Sequence, residues 1–256
     1  MERLKYHQAS LDFIGALLLF SQANIEELNQ FEQACNIQLP PSLREWYSLE
    51  RAEQILHRYS NGDHPVPANE LKTDYLALQG YESDKYYAPF ETHKLLPVMH
   101  ENQGCFDWLV YLNGSDDPPV YVTRETLELF TNSFSDFIYT HVWDWSGLFS
   151  KNWHCLYTNP GEVGLAFMRQ HFQETTRTFS SDYIGGAAYR FFQEDKCVLV
   201  KTGTDYNTWH VWASSYENLI ELINTLADHI RFRYDIQEYQ TNYVSNEDLK
   251  PEDIPF

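Results

Sequence analysis

The residues of this chain best equipped for chemistry are ten histidines and four cysteines, and their spacing decides what that chemistry could be. His100-Glu101 followed by Cys105 would supply a thiol nucleophile with a neighbouring base, yet a cysteine entering an apolar strand after a turn is more often packed than reactive. His57 and His64 flank an SNGD turn, His93 and His100 flank an LLP segment, and His154 precedes Cys155. None of these has the close helical or CxxC-type spacing of a metal site, and the cysteines at 35, 105, 155 and 197 form no CxxC pair. No metal and no cofactor are expected. His141 and Asp144 make part of a triad without a serine. The chain also has no GxSxG elbow, GxxxxGK phosphate loop, HExxH or GxGxxG, and Gly185-Gly186 lacks the Lys-Ser/Thr of a phosphate cradle.

A binding surface is better represented. The loop NGSDDPP places Asp116 and Asp117 beside Pro118 and Pro119, which stiffen it. Two carboxylates held at a hairpin tip could pair with Lys or Arg of a partner. The same charges would also serve a soluble turn that discourages edge pairing. Calcium has little purchase there, because the EF-hand ligand pattern is incomplete. Glu101 in the ENQG turn and the aromatic pair Tyr86 and Tyr87, near Tyr81, complete the candidate partner contacts.

The elements that position these groups follow from periodicity and punctuation. Residues 10–21 read as a helix burying Leu11, Ile14 and Leu18, and a second helix starts at Asn24 and stops near Cys35–Asn36. The prolines of LPPSLREWYSL suit the entry of a third helix, and Arg51–Tyr59 continues or restarts it. Asn61-Gly62 and two following prolines mark a turn, while residues 68–90 read as strand or irregular loop. From Lys94 the pattern is of strands. Trp108, Val110 and Leu112 share one face, and Leu109 and Tyr111 the other, which places that strand inside a sheet.

Thr123 could cap a helix over Glu125–Thr131, Phe134, Phe137 and Ile138 form a short apolar face, and Trp143–Trp153 reads as a junction. Gly161–Phe172 reads as a helix, Ala188–Val200 and Tyr206–Ala213 as antiparallel strands joined near Thr202–Asp205, and Tyr216–Ile230 as a closing helix. From about Asp235 the chain reads as a loose acidic tail. The expected fold is α+β, with helices on a mainly antiparallel or mixed sheet and a C-terminal βα accessory region. Residues 1–150 would form the core and residues 151–256 a strand hairpin, helix and tail, or the two would form one composite domain.

Composition narrows the partners. With 18 Lys+Arg against 37 Asp+Glu, the formal charge is −19. Such a field repels phosphate backbones and anionic membranes and steers a basic partner, and it also simply keeps a protein in solution. The apolar run Phe13–Phe20 is too short to span a bilayer, and Glu2 and Asp12 interrupt a signal-peptide charge pattern, so a cytoplasmic location is expected.

One ordered set of motifs carries a family resemblance. Ile25, Leu28, Phe31 and Glu32 lead into Ile37-x-Leu39-Pro40 and then Leu43-Arg44-Glu45-Trp46-Tyr47. Leu95-Leu96-Pro97, the turn Glu101-Asn102-Gln103-Gly104, the strand Trp108–Leu112, Pro119-Val120-Tyr121-Val122 and Phe134-Ser135-Asp136-Phe137-Ile138 follow. Together these resemble the SUKH superfamily, which takes in bacterial immunity proteins and fungal cell-wall-assembly regulators. The resemblance covers roughly residues 22–145. Family members usually place an Asn-Gly turn soon after the LP helix, whereas Asn61-Gly62 here follows a longer helical segment, and residues 150–256 lie outside the compact core. The resemblance implies an α+β binder without catalysis, often one that neutralises a toxin domain, frequently a nuclease whose basic cleft an acidic inhibitor can occupy. Two further readings stand beside it: a regulatory or scaffold module without a toxin partner, and a hydrolase assembled across the two halves around His100 or His154.

Overall fold

In the computed structural model, which describes residues 3–80, 87, 90–161, 164–180 and 185–233, helices come first because the sequence punctuates them locally. Helix α1 (Gln8–Ile14) ends where Gly15 turns left-handed at φ 63°. The chain beyond it is extended, so the expected continuation to residue 21 does not form. Ala16 and Leu18 pack toward the core while Leu17 and Leu19 face outward, the alternation of an extended segment. Phe20 bridges Leu49, and the Leu19 carbonyl accepts the Glu50 N–H.

Helix α2 (Gln22–Cys35) is capped by Ser21, whose side chain accepts the Asn24 N–H at 3.2 Å. The expected cap, Asn24, instead lies inside the helix and donates its side-chain amide to the Leu49 carbonyl. Asn36, left-handed at φ 51°, ends the helix. Helix α3 (Pro41–Tyr47) opens with proline at its first position. Arg51 at φ 60° then breaks the chain, so that α4 (Ala52–Arg58) is a restart. Helix α5 (Leu71–Gln79) replaces the strand or loop expected there, because Leu71, Tyr75 and Leu78 recur at helical spacing and are buried.

Sheet one is an antiparallel meander of β1 (His64–Pro65), β2 (Leu95–His100), β3 (Asp107–Tyr111), β4 (Val120–Thr123) and β5 (Leu127–Thr131). Strand β3 is its centre. One face of it, Trp108 and Val110, joins the main core with Leu28, Phe31, Leu43 and Trp46, and the other, Leu109, packs with Leu78 and Leu95. The helix expected over Glu125–Thr131 is instead β5: Val122 pairs with Glu128 and Tyr121 with Leu129, and those pairings outweigh the helix propensity of a short segment.

Helix α6 (Phe134–Leu148) runs from the expected FSDF helix through the tryptophans of the supposed junction. Phe134, Phe137 and Ile138 pack into the first core, while Trp143 meets Ala188, Leu199 and Trp212 of the second sheet. That sheet has the order β6 (Trp153–Thr158), β10 (Asn207–Trp212), β9 (Lys196–Gly203), β8 (Gly185–Gln193), β7 (Gln173–Thr178), and it too is antiparallel throughout. The segment read as one strand, Ala188–Val200, is a hairpin: Glu194, left-handed at φ 55°, turns it between β8 and β9. On the face away from α6, α7 (Leu165–His171) and α8 (Tyr216–Ala227) bury Met168, Leu219, Leu222, Ile223 and Leu226 against Phe191, Val198, Val200, Trp209 and Val211. The fold is therefore α+β, with two five-stranded sheets among the described residues and α6 packed against both.

Candidate functional site

The thiol-and-base pairing around Cys105 is not assembled. His100 sits opposite Asp107 in the β2–β3 ladder, and its Nδ1 lies 2.7 Å from that carboxylate while Nε2 lies 3.2 Å from Asp74 of α5. The hydrogen bond to Asp107 chiefly, then that to Asp74, raises its pKa to about 9 against the effect of partial burial. An imidazolium held by two carboxylates does not act as a base at neutral pH. His154, on β6 of the other sheet, titrates below the usual range because it is partly buried. Among the described residues no three His, Cys, Asp or Glu side chains gather as metal ligands would.

The candidate partner contacts fall in different places. Glu101 is buried, and its Oε2 accepts the N–H groups of Gln103 and Cys105 at 2.9 and 3.0 Å, so its charge shapes the ENQG turn. Buried Asp63 accepts the Asn102 N–H at 3.2 Å, and Asn102 in turn donates to the Asn61 carbonyl, which ties the SNGD and ENQG turns together. Tyr87 is half-buried beside Leu78, Leu95 and Leu109. Tyr81, Tyr86 and the acidic tail lie outside the described residues.

The two aspartates of the NGSDDPP loop divide. Asp117 faces inward and accepts the backbone N–H (3.0 Å) and the hydroxyl of Ser135, fixing the first turn of α6, so it does not project from the tip as its sequence position suggests. Asp116 is exposed, 3.4 Å from Lys5 Nζ and 3.2 Å from the Tyr6 hydroxyl. Its carbonyl accepts the Ser42 N–H at 3.0 Å, which fastens the loop to the start of α3.

Asp116 borders concave surface around the Leu39-Pro40-Pro41 entry. A groove of about 540 Å³ is lined by Lys5, Tyr6, Phe20, Glu32, Arg44 and Glu45 among others. A second of about 420 Å³ is lined by Ile37, Pro40, His93, Lys94, Leu112 and Asp116 among others, and both include Gln38, Leu39 and Pro41. The motif residues build this shape. Glu32 accepts the Leu39 N–H at 2.8 Å and pairs with Arg44 at 2.7 Å, and Arg44 also reaches Asn29. Glu45 accepts the N–H groups of Lys5, Tyr6 and His7 at 2.7, 2.8 and 3.0 Å, so the segment before α1 is drawn against α3. Such charge-assisted bonds fix α2, α3 and the segment before α1 relative to one another.

Sequence reading did not reach Lys5, Glu45, Leu17, Leu19 or Phe20 as surface groups. The signal present was Gly15: a break there converts a helical run into an extended one and turns every second apolar side chain outward.

Among the described residues no helix is long and apolar enough to cross a membrane. No curated protein matches the chain. Residues 22–140, which run from the start of α2 into the first half of α6 and include the whole of sheet one, match the SMI1 / KNR4 family (SUKH-1). The ordered motifs from Ile25 to Ile138 thus coincide with the matched segment, and residues 22–140 of this chain form a domain of the SUKH superfamily.

Proposed function

We propose that this protein binds another protein and acts by occlusion, without covalent chemistry, as an immunity protein that neutralises a basic toxin domain. The observation that carries the reading is the SUKH-1 match over residues 22–140, which line one groove and, with Lys5, Tyr6 and Phe20, the other. The charge of −19 supports it, since such a field accelerates docking of a cationic partner and disfavours nucleic acid. The prearranged groove, tied by Glu32, Arg44 and Glu45, supports occlusion by a surface that need not reorder on binding.

The test is native affinity capture on the full chain, eluted in steps of rising salt, with mass spectrometry of each step. One basic protein, held tightly, released by salt and blocked in its own activity by the chain, is the expected result. Many weak partners of mixed charge would overturn the immunity reading in favour of a regulatory or scaffold module. The second sheet, beyond residues 22–140, favours that alternative to the extent that it offers a separate surface.

A further inference from the structure

Seven large hydrophobic side chains are conspicuously exposed among the described residues, and four of them fall between Phe13 and Phe20. Phe13 is 40% exposed, Leu17 71%, Leu19 58% and Phe20 54%. A run of this kind is more than the scattered single leucines of an ordinary surface. It is also held in place. Ala16 and Leu18 anchor it to the core, the Leu19 carbonyl and Phe20 pair with Glu50 and Leu49, and Phe13 lies 6.1 Å from the Tyr139 ring of α6. Phe20 continues into the groove of about 540 Å³.

Carboxylates accompany this ridge. Asp12 precedes Phe13, Glu26 lies in the first turns of α2 just after Phe20, and Glu50 is bonded through its backbone to Leu19. Cations of the flanking segments face carboxylates: Lys5 with Asp116, Arg44 with Glu32, and Arg51 with Glu50 in an exposed, loose contact of 3.8 Å for which a partner cation competes. A second copy of the chain or an anionic membrane would bring more negative charge to a molecule already at −19. A cationic partner would not.

We propose that the Phe13–Phe20 ridge is the docking surface for a basic amphipathic segment of the protein partner. Its apolar side covers Leu17, Leu19 and Phe20, and its Lys or Arg side chains meet Asp12, Glu26 and Glu50. This rests on the reading of the chain as a binder of a basic protein, and it names the surface and the chemistry of what binds there.

The experiment uses the full chain and an 18-residue helical peptide of leucine and lysine, with leucine at i, i+3, i+4 and i+7, and a control peptide with glutamate in place of lysine. Binding is read by fluorescence anisotropy at low and high salt. The lysine peptide is expected to bind, to weaken with salt, and to lose roughly tenfold in affinity for each of Leu17→Ser and Leu19→Ser, as partial burial of a leucine implies. Leu76→Ser, an exposed leucine on α5, should leave binding unchanged. Glu50→Lys should weaken the lysine peptide and strengthen the glutamate peptide. No binding by the wild-type chain, or equal binding by the ridge variants, overturns the proposal. So does sedimentation showing a dimer that Leu17→Ser dissociates, or adsorption to neutral phosphatidylcholine vesicles through the same residues. The captured partner separates this failure from that of the broader reading. If Leu17→Ser with Leu19→Ser still retains the same basic protein, only the ridge assignment falls; if neither chain retains one, the binder reading falls with it.

Discussion

Arg190 of β8 and Asp144 of α6 form a bidentate ion pair across the junction of the two halves, with Nε 2.6 Å from Oδ1 and Nη2 2.7 Å from Oδ2. The Arg190 side chain is 2% exposed, and its Nη1 donates to the Thr176 carbonyl at 3.3 Å. The fork therefore spends its donors on α6 and on β7, and it fixes how the second sheet meets the helix that closes the first core. A cavity of about 20 Å³ beside it, lined by Thr140, His141, Thr178 and Lys201 among others, has room for about one water.

Removing one partner of this pair is expected to be severe. Asp144→Ala leaves a buried guanidinium without its counter-charge and should destabilise the protein by about 3–5 kcal/mol. Replacing both groups together, Asp144→Leu with Arg190→Met, should recover most of that loss, because the desolvation penalty of the two charges disappears as well. Urea unfolding of the three variants checks this; a double variant as unstable as the single one would refute it.

Gly147 faces the Trp212 indole so closely that a Cβ there would overlap the ring. Gly147→Ala should therefore destabilise by about 1–3 kcal/mol through overpacking, although alanine is favoured over glycine inside a helix by about 1 kcal/mol. Trp143, 4.4 Å from Trp212 between ring centroids, reports on the same contact. The near-ultraviolet circular dichroism of the variant should change while its far-ultraviolet spectrum does not. A more stable variant with an unchanged near-ultraviolet spectrum is the contrary outcome.

The His100 link between α5 and sheet one carries a pH signature. Its folded-state pKa of about 9 lies above the ordinary value of 6.5, so folding favours the protonated ring. The stability it contributes is complete below pH 6.5 and is lost as pH rises through about 9. Wild type should therefore lose its advantage over His100→Gln between these limits, measured as the difference in urea midpoints so that other titrations cancel. A difference that is flat with pH, or a nuclear magnetic resonance titration of His100 near 6.5, would remove the link.

Asp116 and Asp117 are adjacent but should respond differently. Asp117→Ala removes the acceptor for both Ser135 donors at the start of α6 and should destabilise by about 1–2 kcal/mol. Asp116→Asn removes the charge from exposed contacts with Lys5 and the Tyr6 hydroxyl, and stability should change by less than about 0.5 kcal/mol. The asparagine variant should instead slow association with a cationic partner, most visibly at low salt. Thermal unfolding and stopped-flow association separate the two effects, and equal behaviour of the two variants would contradict the placement of the loop.

Much of the fold is legible where the signal is local. The LPP entry to α3, the stop at Asn36, the ENQG turn and the two-faced strand Trp108–Tyr111 depend on backbone chemistry and periodicity within a few residues. The misread segments are those where a distant partner outweighs a local preference. Residues 125–131 become β5 because β4 supplies a ladder, and residues 71–79 become a helix because Tyr75 and Leu78 find the core and sheet one. The candidate site shows the same division. The aspartates are visible in the sequence, but which of them points outward depends on Ser135, eighteen positions beyond Asp117.

Taken alone, the amino-acid sequence determined the acidic balance, the α+β class and the ordered motifs from Ile25 to Ile138 that mark a SUKH domain. These follow from composition and short-range patterning, which need no knowledge of what lies across the core. Only the tertiary structure decided that Glu101 and Asp117 are spent on the fold, that His100 is held as a cation between two carboxylates, and that Leu17, Leu19 and Phe20 face outward. It also decided that α6, whose Phe137 and Ile138 lie in the first core, reaches the second sheet through Asp144, Gly147 and Trp143. The physical reason is that burial, charge pairing and close approach are properties of neighbours in space, and these neighbours lie far apart in the chain, Lys5 and Asp116 by 111 residues.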